Sequence, residues 1–130
     1  MFFSLSSVLY VRVTRDAMLV RDVTAGNEVR TPAVRPFTGR RLLVGDFHAA
    51  EETLKQGVLG VMKKRGWFRP APVIVMHPLE LIEGGMSQVE ERILYELAIG
   101  AGAMKAILWS GEPLSDAQVK EKALEKPRVP

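Results

Sequence analysis

VLYVRVT at Val8–Thr14 and AMLVRDV at Ala17–Val23, separated only by Arg15-Asp16, decide the fold. Leu9, Val11 and Val13 alternate with Tyr10, Arg12 and Thr14, which is the period of a strand with one buried face. The short link makes the two runs a hairpin. Thr24-Ala25-Gly26-Asn27 reads as a second turn, because Gly and Asn tolerate positive φ. A third strand then covers Asn27–Val34, and Pro32 with the nearby Pro36 suits a sheet edge better than a centre.

Beyond this meander the period changes. Ala50, Leu54, Val58, Val61 and Met62 fall on one face of a helix over Ala49–Lys64, with Asp46 a candidate cap and Gly66 a candidate terminator. Pro72–Met76 (PVIVM) is continuously apolar, as a strand buried on both faces requires. Ser87 and Glu90 form a capping-box pattern that opens a second helix over Ser87–Ala101, with Val89, Ile93 and Leu97 expected as its buried stripe. Ala106–Trp109 reads as a fifth strand. A polar helix starting at Ser115 or Asp116, with a thin apolar face, occupies the remainder. The order βββαβαβ predicts an α/β fold with one mixed five-stranded sheet and helices packed on it, the order of a ribonuclease-H-like domain. Residues 1–114 form that domain, and 115–130 form the polar helix and tail.

Composition narrows the chemistry. The 130 residues are 47% hydrophobic and 25% charged, which is globular and not disordered. Cysteine is absent, so disulfides, thiolate catalysis and cysteine-ligated metals are excluded. Only His48 and His77 carry imidazoles, and no acid/base pair shows itself by spacing, so neither a metal nor another cofactor is expected. The net charge of +3 is too small to point to nucleic acid. The run Lys63–Arg69, which mixes bases with Trp67 and Phe68, is read as a helix end and not a nucleic-acid surface. No stretch nears the roughly 20 apolar residues of a membrane span, and Met1–Ser7 lacks the cationic start of a signal peptide. A cytoplasmic protein without stable membrane insertion is the expectation.

Leu43–Pro78, Gln88–Ala103 with its Gly-Ala ending, and Glu112-Pro113 resemble the first subdomain of the MreB family of bacterial actins. Leu9–Val23 lies on that family's first hairpin. The resemblance implies an actin-like, ribonuclease-H-like fold, and it implies MreB filaments or shape-determining machinery as partners. It also assigns positions. Arg12 stands where the family's phosphate loop carries aspartate, Thr14 where it carries glycine, and Glu112 near the glutamate that positions the attacking water. His77, at the end of the buried strand, joins Glu112 as a candidate cleft residue. An arginine cannot handle the metal that the aspartate holds, and the family's second nucleotide wall has no counterpart here. The expectation is therefore not an enzyme but a non-catalytic, pseudo-ATPase-like module acting by protein–protein interaction. The alternative is a degenerate ATP-binding protein that uses Arg12 and Thr14 and completes its cleft as a homodimer. The apolar loop Leu79–Met86 is expected either to fold over the bare end of the sheet or to be covered by a second copy.

Overall fold

The computed structural model describes residues 7–63 and 70–130. β1 (Val8–Thr14), β2 (Ala17–Asp22) and β3 (Glu28–Pro32) form the expected meander. They are followed by α1 (Phe47–Met62), β4 (Val73–Pro78), α2 (Gln88–Gly100), β5 (Lys105–Leu108) and α3 (Asp116–Lys122). The five strands make one sheet in the order β3-β2-β1-β4-β5. β2 runs antiparallel to both neighbours, while β4 lies parallel to β1 and β5 parallel to β4. The α/β class and the mixed five-stranded sheet are thus as expected, and β3 takes the edge that its proline suits.

One face of the sheet carries the main core. Leu9, Val11 and Val13 are fully buried there with Met18, Val20, Ile74 and Met76, beneath Leu54 and Val61 of α1 and Leu97 of α2. α1 begins earlier than the periodicity suggests, because Asp46 accepts a hydrogen bond from the Ala49 amide at 3.0 Å and starts the helix at Phe47. The candidate terminator Gly66, like most of the Lys63–Arg69 run and the apolar start of the chain, lies outside the described residues. β4 runs on through His77 and Pro78, which are also buried.

Gly57 shows how closely α1 approaches the sheet. A Cβ there would meet Val20 Cγ2 at 2.6 Å and Thr31 Oγ1 at 3.0 Å. Val20 is fully buried and β-branched, so it has no free rotamer to yield. Gly57→Ala therefore loses more to overpacking than it gains in helix propensity, and should destabilise the fold by about 1–3 kcal/mol in urea unfolding.

α2 departs from the expected stripe. Its capping box is present, with Ser87 and Glu90 bonded reciprocally. The buried residues are however Leu94, Leu97 and Ala98, whereas Ile93 is half-buried and Val89 is 63% exposed. The i, i+4, i+8 series starting at Val89 drifts around the helix, because four residues exceed one turn. Leu94 and Ala98 stand with Leu97 at the centre of the buried face.

α3 covers part of the opposite sheet face. Val119 is fully buried against Tyr10, Val23, Val75 and Ile107, with Trp109 and Leu114 at the margin. Its thin apolar face is enough because the helix is anchored at its start. Ser115 and Gln118 form a second capping box, and the Asp116 carboxylate accepts two hydrogen bonds from the Arg21 guanidinium, at 2.8 and 2.9 Å.

Candidate functional site

The sequence singled out four residues around one end of the sheet, where β1 and β4 finish. Arg12 and His77 are direct cross-strand partners in the parallel β1–β4 pair, so both side chains leave the same face. Tyr10, two residues before Arg12, shares that face.

His77 is 1% exposed and its imidazole is fully used. Nε2 lies 3.0 Å from the Gly111 carbonyl oxygen, and Nδ1 lies 2.6 Å from the Tyr10 hydroxyl. A carbonyl can only accept, so Nε2 carries the proton and donates. Burial pushes the His77 pKa below its usual 6.5, outweighing the Gly111 bond, and the nearby Arg12 cation lowers it further. The neutral ring therefore presents a lone pair at Nδ1, which accepts from the Tyr10 O–H. The Tyr10 oxygen in turn accepts the Leu114 amide at 3.1 Å. The two rings are stacked, with centroids 5.8 Å apart. This chain of bonds ties β1, β4 and the segment leading into α3 into one buried unit.

Arg12 turns away from the strand ends. Its guanidinium lies 5.2 Å from the Tyr10 ring centroid, and one nitrogen donates to Glu28 Oε1 on β3 at 2.6 Å. Glu28 also lies 3.8 Å from Arg21, which links Arg12 through Arg21 to Asp116 of α3. The Arg21 bonds hold the Asp116 carboxyl below its usual range. Thr14 closes the hairpin, its hydroxyl donating to the Ala17 carbonyl at 3.1 Å. Glu112 is exposed, and its carboxylate has no ion pair or hydrogen bond among the described residues. Only its backbone is engaged, accepting Trp109 Nε1 at 2.8 Å. Arg12 and His77 are thus brought together, whereas Thr14 and Glu112 are held apart from them by other tasks.

The hairpin tip is also closed from within. The Arg15 amide donates to Glu80 Oε2 at 2.8 Å, and the Asp16 amide to Thr38 Oγ1 at 2.9 Å. Asp16 adopts φ 51°, and its carboxylate accepts the Phe37 and Thr38 amides at 2.8 Å each. Those bonds keep its pKa below 3.8. Backbone N–H groups that would approach an anion at this turn already hold a carboxylate and a hydroxyl of the chain itself. Leu81 and Met86, from the loop that supplies Glu80, pack on the main core. The loop therefore folds down over the sheet, with Leu81 at φ 57° and Gly84 and Gly85 at φ 78° and 92° making the bends.

Sequence reasoning did not find Tyr10, Asp16 or Glu80. Tyr10 had a readable signal, its place on the face of Arg12. Asp16 and Glu80 act across loops whose path no local pattern fixes.

No helix among the described residues is long and apolar enough to cross a membrane. Nor is any group of three or more His, Asp or Glu among them placed to hold a metal ion. No protein-family model matches the chain. Over 103 residues the sequence is 44% identical to "Uncharacterized protein YjaA" of Escherichia coli (strain K12), a match covering 76% of this chain and 80% of that protein.

Proposed function

The chain belongs to one family with YjaA, and we propose from its own residues that it is a non-catalytic protein-interaction module built on a ribonuclease-H-like sheet. The strand order 3-2-1-4-5, with only β2 reversed, supports that arrangement. It also agrees with the MreB-like reading of the sequence, under which the partner is a cytoplasmic filament or shape-determining assembly.

One observation carries the non-catalytic reading. Among the described residues, the polar groups gathered at the end of β1 and β4 are spent on the fold, and the Glu112 carboxylate stands exposed apart from them. His77 is neutral and bonded at both nitrogens, Thr14 and Asp16 hold the turn, and Glu80 occupies the hairpin amide. The surface left for a partner is the uncovered part of the second sheet face. α3 packs on β1, while Arg30 and Pro32 of β3 are exposed beside the half-buried Leu19 and Arg21.

Two measurements test this. Magnesium ATP, titrated against the labelled protein, should leave the Arg15 and Asp16 amide resonances unmoved. A saturable shift there that Arg12→Ala abolishes would establish the nucleotide-binding reading instead. Co-sedimentation with assembled MreB should carry the protein into the pellet, and Leu19→Asp with Arg30→Glu should release it. Equal pelleting of wild type and double variant would remove this face as the interface, and no pelleting would remove the filament as the partner.

A further inference from the structure

The segment after α3 does not pack flat. Pro127 and Pro130 stop it from continuing as a helix, and it is fastened near both ends. Lys105 Nζ donates to the Glu125 carbonyl at 2.9 Å, and the Arg92 guanidinium donates to a main-chain oxygen of Pro130 at 3.4 Å. Between these ties the segment arches over a cavity of about 560 Å³, bounded on the other side by β5 and the residues after it. That volume lies within the roughly 300–1,000 Å³ usual for small-molecule sites.

The lining combines a flat apolar wall with cations. Ile107 and the Trp109 ring contribute the wall. The indole is fixed by its hydrogen bond to Glu112 on one side and by Lys122, whose Nζ lies 4.3 Å from its centroid. Lys122 is itself neutralised by Glu125 at 3.3 Å. Lys126 and Arg128 also line the cavity and have no ion pair or hydrogen bond among the described residues. Against them stands the Glu91 carboxylate, which has no ion pair among the described residues, while the Pro130 main-chain oxygen is held by Arg92, so the balance of unpaired side-chain charge is positive.

We propose that this cavity binds a small aromatic oxyanion, its ring against Trp109 and Ile107 and its carboxylate or phosphate on Lys126 and Arg128. An immobilised indole offers stacking at little entropic cost. A guanidinium and an ammonium lining one cavity suit a two-oxygen anion, since arginine donates in a fork and lysine as a point charge. The site lies apart from the β1–β2 hairpin and does not depend on the interaction reading above.

Naphthyl phosphate and naphthoate, titrated into the full chain carrying Trp67→Phe, test it, because Trp109 is then the remaining indole. Saturable quenching is expected with either probe, and which binds tighter decides between phosphate and carboxylate. Lys126→Glu with Arg128→Glu should weaken binding by at least about tenfold. Both residues are exposed, so circular dichroism should show this variant folded. Trp109→Leu, followed by calorimetry, should weaken it comparably, while Arg12→Ala should leave it unchanged. The proposal is overturned by the absence of saturation, by unchanged affinity in the charge-reversed variant, or by loss of binding in Arg12→Ala.

Discussion

Leu97→Ala should lower the unfolding free energy by about 2–5 kcal/mol, while Val89→Ala on the same helix should stay within about 0.5 kcal/mol. Leu97 is fully buried between α2 and the sheet, in contact with the cluster that holds Leu9 and Ile74. Truncating it removes transfer energy and leaves a cavity that the rigid sheet cannot close. Val89 is 63% exposed in the first turn and loses little when shortened. Ile93, half-buried, should fall between them. Urea melts of the three variants give the phase of α2 directly. A Val89 effect as large as that of Leu97 would restore the stripe read from the sequence and rotate the helix away from the arrangement described above.

His77→Leu is expected to cost about 2–4 kcal/mol, because it strands polar groups instead of merely deleting contacts. The Tyr10 proton loses its acceptor and the Gly111 carbonyl loses its donor. The same residue makes stability depend on pH. Its folded pKa lies below the ordinary 6.5, so the unfolded chain takes up a proton first as pH falls. The His77 contribution is therefore complete above 6.5 and is lost progressively as pH drops toward the lowered folded value. Below that range it changes no further. Once both ring nitrogens carry protons, Nδ1 can no longer accept, and the Tyr10 hydroxyl proton has no buried partner. Wild type should lose stability on acidification through this window, whereas His77→Leu should be flatter there. Parallel slopes for the two proteins would mean that other groups set the acid response.

The meander and the edge position of β3 were legible because they rest on local chemistry: alternation at Leu9–Thr14, the short link at Arg15-Asp16, and Pro32. The Ser87–Glu90 capping box and Asp46 were legible for the same reason, since a cap is a contact between near neighbours. The phase of α2 was not, because several apolar residues compete for its buried side and only the position of the sheet chooses among them. The site rests on choices of the same kind. The pairing of Arg12 with His77 follows from the register of β1 against the parallel β4, which the order of elements does not fix. That His77 bonds Gly111, and that Glu80 reaches the Arg15 amide, depends on where loops cross. A histidine at a strand end reads alike in sequence whether it faces a ligand or a tyrosine.

The arrangement of β1 has a consequence for how the protein is made. Its antiparallel partner β2 follows at once, but its parallel partner is β4, and Val8 must wait for Val73. During synthesis the meander leaves the ribosome with one long side of β1 unpaired, in the sequence most able to join a foreign strand. α3, which seals Tyr10, Val75 and Ile107, emerges after all five strands. The nascent chain is thus most vulnerable in the interval between β3 and β4. Slow translation there, or crowding of polysomes, would favour strand exchange between neighbouring copies over the native sheet.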